Sequence, residues 1–148
     1  MPAFSIMSNA GILAPFFGVM LLTLVVWIHM YIRRTSYLVG NRIDLRKVDT
    51  PEKAASVIPE RVSLASHNLR NLFELPVIFY AVCLYVFASG TVDGFYVIAA
   101  WWFFAFRVVH SLIHCTYNKV VHRFSAYMLA ALALWAMVVR AALQTLFM

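Results

Sequence analysis

Between Gly11 and Ile32 the chain carries no Asp, Glu, Lys or Arg. At about 1.5 Å per helical residue this run is long enough to cross a hydrocarbon core of roughly 30 Å. In such a core every backbone N–H and C=O must be satisfied internally, which leaves little besides a helix for an isolated apolar run of this length. Three more apolar segments follow, and the spacing predicts spans at about 11–32, 59–88, 95–117 and 123–147. Composition agrees: 64% of the 148 residues are hydrophobic and 12% are charged, with a mean hydropathy of +0.82. Soluble domains hold only about 45–50% apolar residues. The expectation is an all-α integral membrane protein over residues 1–148, built as one bundle of four transmembrane helices. The first run has no basic segment before it and is followed by Arg33 and Arg34, so it is read as a retained span rather than a cleaved leader.

The net charge of +6 does not point to nucleic acid, because seven of the twelve Lys and Arg lie between Arg33 and Arg61. Basic residues crowded beside a span orient it, and they place the 33–58 connection in the cytoplasm. Pro51, Pro59 and Gly40 mark that connection as polar and non-spanning. The turn from Ser89 to Gly94 has no Lys or Arg, whereas the turn before the fourth span has Lys119 and Arg123. Both termini are therefore expected on the non-cytoplasmic side of a bacterial inner membrane. Arg140, near the outer end of the fourth span, is expected to snorkel or to meet Gln144 one turn away. Cys83 and Cys115 have no metal-type spacing and read as free thiols.

Two of the spans carry polar stripes. At roughly 100° per residue, His67, Arg70, Asn71 and Glu74 fall within one arc of the second span, and Arg107, His110 and His114 share one face of the third. Ionised side chains against lipid cost about 2.5–3.5 kcal/mol even on lenient scales, so such stripes face protein, water or a ligand. By topology they meet at the cytoplasmic half, where Arg123 opens the fourth span. Three arginines against one glutamate leave positive charge to be matched, and an anionic ligand is the economical partner. The bland alternative is an internal network in which Glu74 pairs with Arg70 and Arg107. A third reading takes His110 and His114, four residues apart, as metal ligands completed by His67, Glu74 or His122, although arginines so close would oppose a divalent cation.

The order R-N-x-x-E ahead of a proline, then R-V-x-H, then an arginine opening the last span, resembles the membrane-associated proteins in eicosanoid and glutathione metabolism, the MAPEG family. The resemblance covers essentially the whole chain. It implies a homotrimer in membrane lipid, with glutathione as co-substrate bound between subunits near the cytosol. It also implies a hydrophobic small-molecule acceptor. Carried over, Arg70, Asn71 and Glu74 would hold glutathione, with Arg gripping a carboxylate and Glu74 accepting the ammonium. Arg107 and His110 match the third-span pair, and His67 and His114 join the binding set. Arg123 matches the catalytic arginine beside the sulfur, where a cation favours thiolate.

Three positions differ from the family pattern: His67 stands where an arginine is usual, His114 where a tyrosine is usual, and Phe124 where the prostaglandin-synthase-like members carry serine. The activity implied is a glutathione-dependent transferase or peroxidase. A lipid-binding scaffold of the same fold, without turnover, is the alternative.

Overall fold

The computed structural model describes residues 10–147. Residues 1–9 and 148 lie outside them, and so does the expected placement of the two chain ends. Among the described residues there is no strand. Helix α1 spans Leu13–Gly40, a 3-10 turn covers Leu45–Lys47, and α2 is the short helix Pro51–Val57. Helices α3 (Glu60–Asn71) and α4 (Leu75–Ala88) follow, then α5 (Gly94–Cys115) and α6 (Val120–Leu146). Four stretches are long and apolar enough to cross a membrane, namely α1, the α3–α4 pair, α5 and α6. The protein is an all-helical integral membrane protein.

Helix α1 does not stop at Ile32. It continues through Arg33 and Arg34 to Gly40, because no residue before Gly40 breaks a helix and charged side chains cost nothing once the helix has left hydrocarbon. Arg33 Nη2 donates to the Arg61 carbonyl at 3.1 Å, and the Tyr37 hydroxyl donates to the Val57 carbonyl at 3.5 Å. These bonds tie the extension to the start of α3 and to the end of α2. The connection read as polar and non-spanning also contains α2, capped by Thr50, whose Oγ accepts from the Lys53 N–H, with Pro51 in its first turn.

The second span is broken rather than continuous. Pro76 has no N–H for the Leu72 carbonyl, and the chain restarts as a new helix with the proline in its first turn, where no donor is needed. Phe73 N–H bonds the Arg70 carbonyl and Val77 N–H bonds the Glu74 carbonyl, closing tight turns on both sides of the break. The Asn71 carbonyl thereby loses its normal partner four residues on.

The lipid-embedded core is packed by aromatic and small side chains. Phe79 and Phe103 stack with centroids 4.3 Å apart, and Val86, Tyr96, Ala100, Leu134 and Met137 are fully enclosed. Gly18 lets α1 approach α5: a Cβ there would sit 3.0 Å from the Phe104 ring. Helix α6 turns Ala126, Ala130, Ala131 and Ala141 inward, and small residues are what allow close helix packing where lipid competes for every apolar contact. Leu21, Val25, Ile98, Leu132 and Val139 remain exposed on the outside. That is the surface a bilayer covers.

Candidate functional site

The stripe predicted for the second span is divided between two faces of α3. Toward α5, Asn68 is wholly buried and its Nδ2 approaches Cys115 Sγ at 3.5 Å, while Ser111 Oγ donates to its Oδ1 at 3.4 Å. Asn71 Nδ2 lies 3.5 Å from His114 Nδ1. Toward the other side, His67 and Arg70 are exposed and line a cleft of about 560 Å³ with Arg34. Glu74 lies in the break between α3 and α4, also exposed.

Arg107, from the middle of α5, is completely buried. Its Nη2 donates to the carbonyl of Asn71 at 2.8 Å, the group freed by the break. Its Nε and Nη1 find no acceptor among the described residues. Glu74 forms no ion pair with Arg70 or Arg107: among the described residues the salt bridges are Lys53–Asp49 and Arg140–Asp93. The internal network offered as the bland reading is therefore absent among the described residues.

One turn along α5, His110 is 2% exposed, and its Nδ1 lies 3.1 Å from the Arg123 carbonyl. A carbonyl only accepts, so Nδ1 carries the proton and Nε2 is left as an acceptor, buried and without a partner. The His114 ring is 5.5 Å away, edge-on, and the Tyr127 ring of α6 lies 5.9 Å from His110 and 6.0 Å from the Arg107 guanidinium. Arg123 is half-buried. Its Nη1 donates to Asn118 Oδ1 at 2.6 Å, and Asn118 makes the turn between α5 and α6 in the left-handed region at φ +50°, a conformation asparagine tolerates better than most residues.

The structure thus gathers Asn71, Arg107, His110, His114 and Arg123 around the junction of α3, α5 and α6, and leaves His67, Arg70 and Glu74 on the outside of the protomer. Sequence reasoning missed Asn68, Ser111 and Asn118. Asn68 lies one turn before Asn71 on the same face of α3, a usable signal; Ser111 carried none. His122 does not join the other histidines: its Nδ1 lies 3.1 Å from the Tyr117 hydroxyl. No three of His, Cys, Asp and Glu gather at metal-binding distance among the described residues.

At the opposite end, Arg140 does not meet Gln144. It forms a two-pronged ion pair with Asp93, with Nη1 to Oδ1 at 3.0 Å, and Gln144 accepts from the Tyr96 hydroxyl at 2.7 Å. Asp93 is closer in charge, and it already caps α5 by accepting from the Tyr96 N–H at 3.2 Å.

The model of the MAPEG family matches residues 12–143 of the chain. No curated protein and no solved structure matches the chain.

Proposed function

The chain belongs to the MAPEG family, and from that membership we propose that it is a membrane glutathione-dependent transferase or peroxidase acting on a hydrophobic electrophile. Glutathione binds at the basic end of the bundle, on the cytoplasmic side, between subunits of a homotrimer. One observation carries this reading: a wholly buried arginine whose Nε and Nη1 have no acceptor among the described residues. A buried guanidinium left partly unpaired is strongly unfavourable, and a ligand carboxylate supplies both the charge and the lone pairs it lacks. Glutathione brings two carboxylates and one ammonium. Arg107 and Arg70 take the carboxylates, Glu74 takes the ammonium, and Asn71, His67, His110 and His114 supply further hydrogen bonds.

The exposure of His67, Arg70 and Glu74 in the protomer supports an intersubunit site, since a second copy packed on this face would enclose them. The acceptor molecule then arrives laterally from the bilayer. Arg123, held by Asn118 on its side chain and by His110 on its carbonyl, has little freedom to move, and its charge favours thiolate over thiol at the sulfur beside it. The thiolate attacks the electrophile; the residues named here bind, orient and lower the cost of the negative charge.

The test follows thiolate absorbance of bound glutathione against pH in wild type, Arg123→Ala and Arg123→Lys. Alanine raises the bound thiol's titration midpoint and slows conjugation with most of the binding retained, and lysine recovers part of the rate because it restores charge without the planar fork. Identical titrations in all three proteins would contradict the catalytic assignment and favour the lipid-binding scaffold.

A further inference from the structure

Toward the end of the bundle away from His110 and Arg123, helices α5 and α6 leave between them an open groove of about 360 Å³. Small side chains, Ala99, Ala133 and Ala136, make its floor, and the larger Phe95, Trp102 and Leu132 stand along its edges. Trp102 and Leu132 are 49% and 62% exposed, so the groove opens on the surface that a bilayer covers. Among the described residues its lining comes from α5 and α6 alone and includes no charged or hydroxyl-bearing side chain. It therefore shares no residue with the cleft of His67 and Arg70.

One end of this groove is polar. Arg140 stands one turn beyond Ala136 on the same face of α6, its guanidinium lies over the Phe95 ring at 4.7 Å, and it pairs with Asp93, the cap of α5. The pair remains partly open, with the two side chains 34% and 43% exposed. Asp93 takes two of the five guanidinium N–H groups, which leaves donors for an oxyanion, and the carboxylate keeps a lone pair for a cation. An apolar channel that ends at such a pair matches an amphiphile, with the chain in the groove and the head at the pair. The charges decide which head. Between Tyr85 and Ile98 and between Met137 and Phe147, Asp93 and Arg140 are the only ionised side chains, and they cancel. A net negative headgroup finds no uncompensated cation there, whereas a headgroup carrying both signs meets both partners.

We propose that this groove seats one acyl chain of a zwitterionic aminophospholipid from the leaflet at the α4–α5 turn, with the lipid phosphate against Arg140 and its primary ammonium against Asp93. The ion pair needs no ligand to be satisfied, so the lipid is held by shape along the alanine floor and oriented by the matched charges at its head. Bound there, it bridges α5 and α6 on the side of the bundle that their own side chains leave unfilled. The inference stands apart from the glutathione reading, because none of the residues assigned to the tripeptide lines the groove.

Native mass spectrometry of the full chain in detergent, titrated with short-chain phosphatidylethanolamine or phosphatidylglycerol, tests this directly. The expected result is one saturable phosphatidylethanolamine per protomer, bound at least about tenfold more tightly than phosphatidylglycerol; tenfold is about 1.4 kcal/mol. Ala133→Leu, which fills the floor, should weaken it about tenfold, while Leu24→Phe, on the exposed side of α1, leaves it intact. Replacing Asp93 by Asn and Arg140 by Gln together keeps the groove but removes both charges, and the two lipids should then bind alike. Equal affinity for both lipids in the wild-type protein would overturn the proposal, and so would equal losses from Ala133→Leu and Leu24→Phe, which would mean a diffuse lipid annulus. A change in the number of protomers per complex in Ala133→Leu would give the groove to a second copy of the chain instead. Fluorescence tests the same seat without altering the packing of the groove floor: with brominated-chain phosphatidylethanolamine, the emission lost in Trp102→Phe should be the part of the wild-type signal quenched at the lowest lipid fraction among the four tryptophans. Quenching of Trp102 in step with the other three would contradict a specific site.

Discussion

At the turn between α4 and α5, Asp93 meets Arg140 with both oxygens, the Arg140 guanidinium lies over the Phe95 and Tyr96 rings at 4.7 and 4.9 Å, and Tyr96 and Gln144 satisfy one another. At the other end, among the described residues, the Nε and Nη1 of Arg107 have no acceptor, His110 has an unpartnered Nε2, and the Arg123 guanidinium has only the neutral Asn118. The same chain thus completes its polar groups at one end and leaves them open at the other. Completed groups fasten helices together; open ones in a low-dielectric interior are maintained for something that arrives later. Arg140 and Arg107 look alike in sequence, each an arginine set in an apolar stretch of helix. The difference is whether a carboxylate of the same protomer reaches it.

The largest effect expected is at Arg107. Arg107→Leu should weaken glutathione binding by about 3 kcal/mol, on the order of a hundredfold, the upper scale for a charge-assisted hydrogen bond. The same substitution should raise the thermal stability of the ligand-free protein, because it removes a buried cation that nothing neutralises. Calorimetric binding and thermal unfolding on one preparation check both signs. Lowered stability together with lost binding would make Arg107 a structural residue like Arg140 and erase the contrast between the ends.

Arg70→Ala comes next, at about 1.5–3 kcal/mol of glutathione affinity, with Arg140→Ala changing affinity little. Equal losses from both would point to general destabilisation rather than to a site.

Asp93→Asn keeps a side-chain cap for α5 but removes the ion pair, and it should lower stability by at most about 1 kcal/mol while leaving ligand affinity unchanged. Partial desolvation pushes the Asp93 carboxyl up, but the bonds from Arg140 and the Tyr96 N–H outweigh it and hold it below the usual carboxylate value. Its folded value being the lower one, the carboxylate's contribution is full above the unfolded value of about 3.9 and is lost as pH falls through the folded one. Acid unfolding of wild type and Asp93→Asn should therefore converge in that window.

The smallest effect tests the support of Arg123. Asn118→Gly keeps the left-handed turn accessible but removes the bond at 2.6 Å, so conjugation should slow less than in Arg123→Ala, with stability nearly unchanged. A rate loss as large as that of Arg123→Ala would mean that position, not charge, dominates at the sulfur.

Much of this contrast was legible in the sequence, and the reasons for the gaps are physical. Apolar run length marks the four spans because hydrocarbon admits few alternatives. The clustering of Asn71, Arg107, His110 and His114 follows from helical period and shared depth. The break at Leu72–Glu74 was signalled by Pro76, but a proline within a span can kink a helix or restart one, and only packing decides which. Ser111 is too short and too weakly polar to stand out on an apolar helix, and Asn68 was overlooked although it shares a face with Asn71 one turn on; buried, the two bond to each other across two helices. The Arg140–Asp93 pair joins residues 47 apart, beyond any helical period. Arg34 was visible as a charge; its place in a cleft with His67 and Arg70 depends on α1 running past the apolar segment.

The open end is tested most directly by calorimetric titration of the wild-type protein with glutathione in detergent, followed by unfolding of the same sample with and without ligand. The account predicts saturable, salt-sensitive binding and a ligand-dependent rise in Tm that disappears in Arg107→Leu. Absence of saturable binding, or a rise in Tm of equal size in Arg107→Leu, would contradict the claim that the basic end is completed by an anionic ligand.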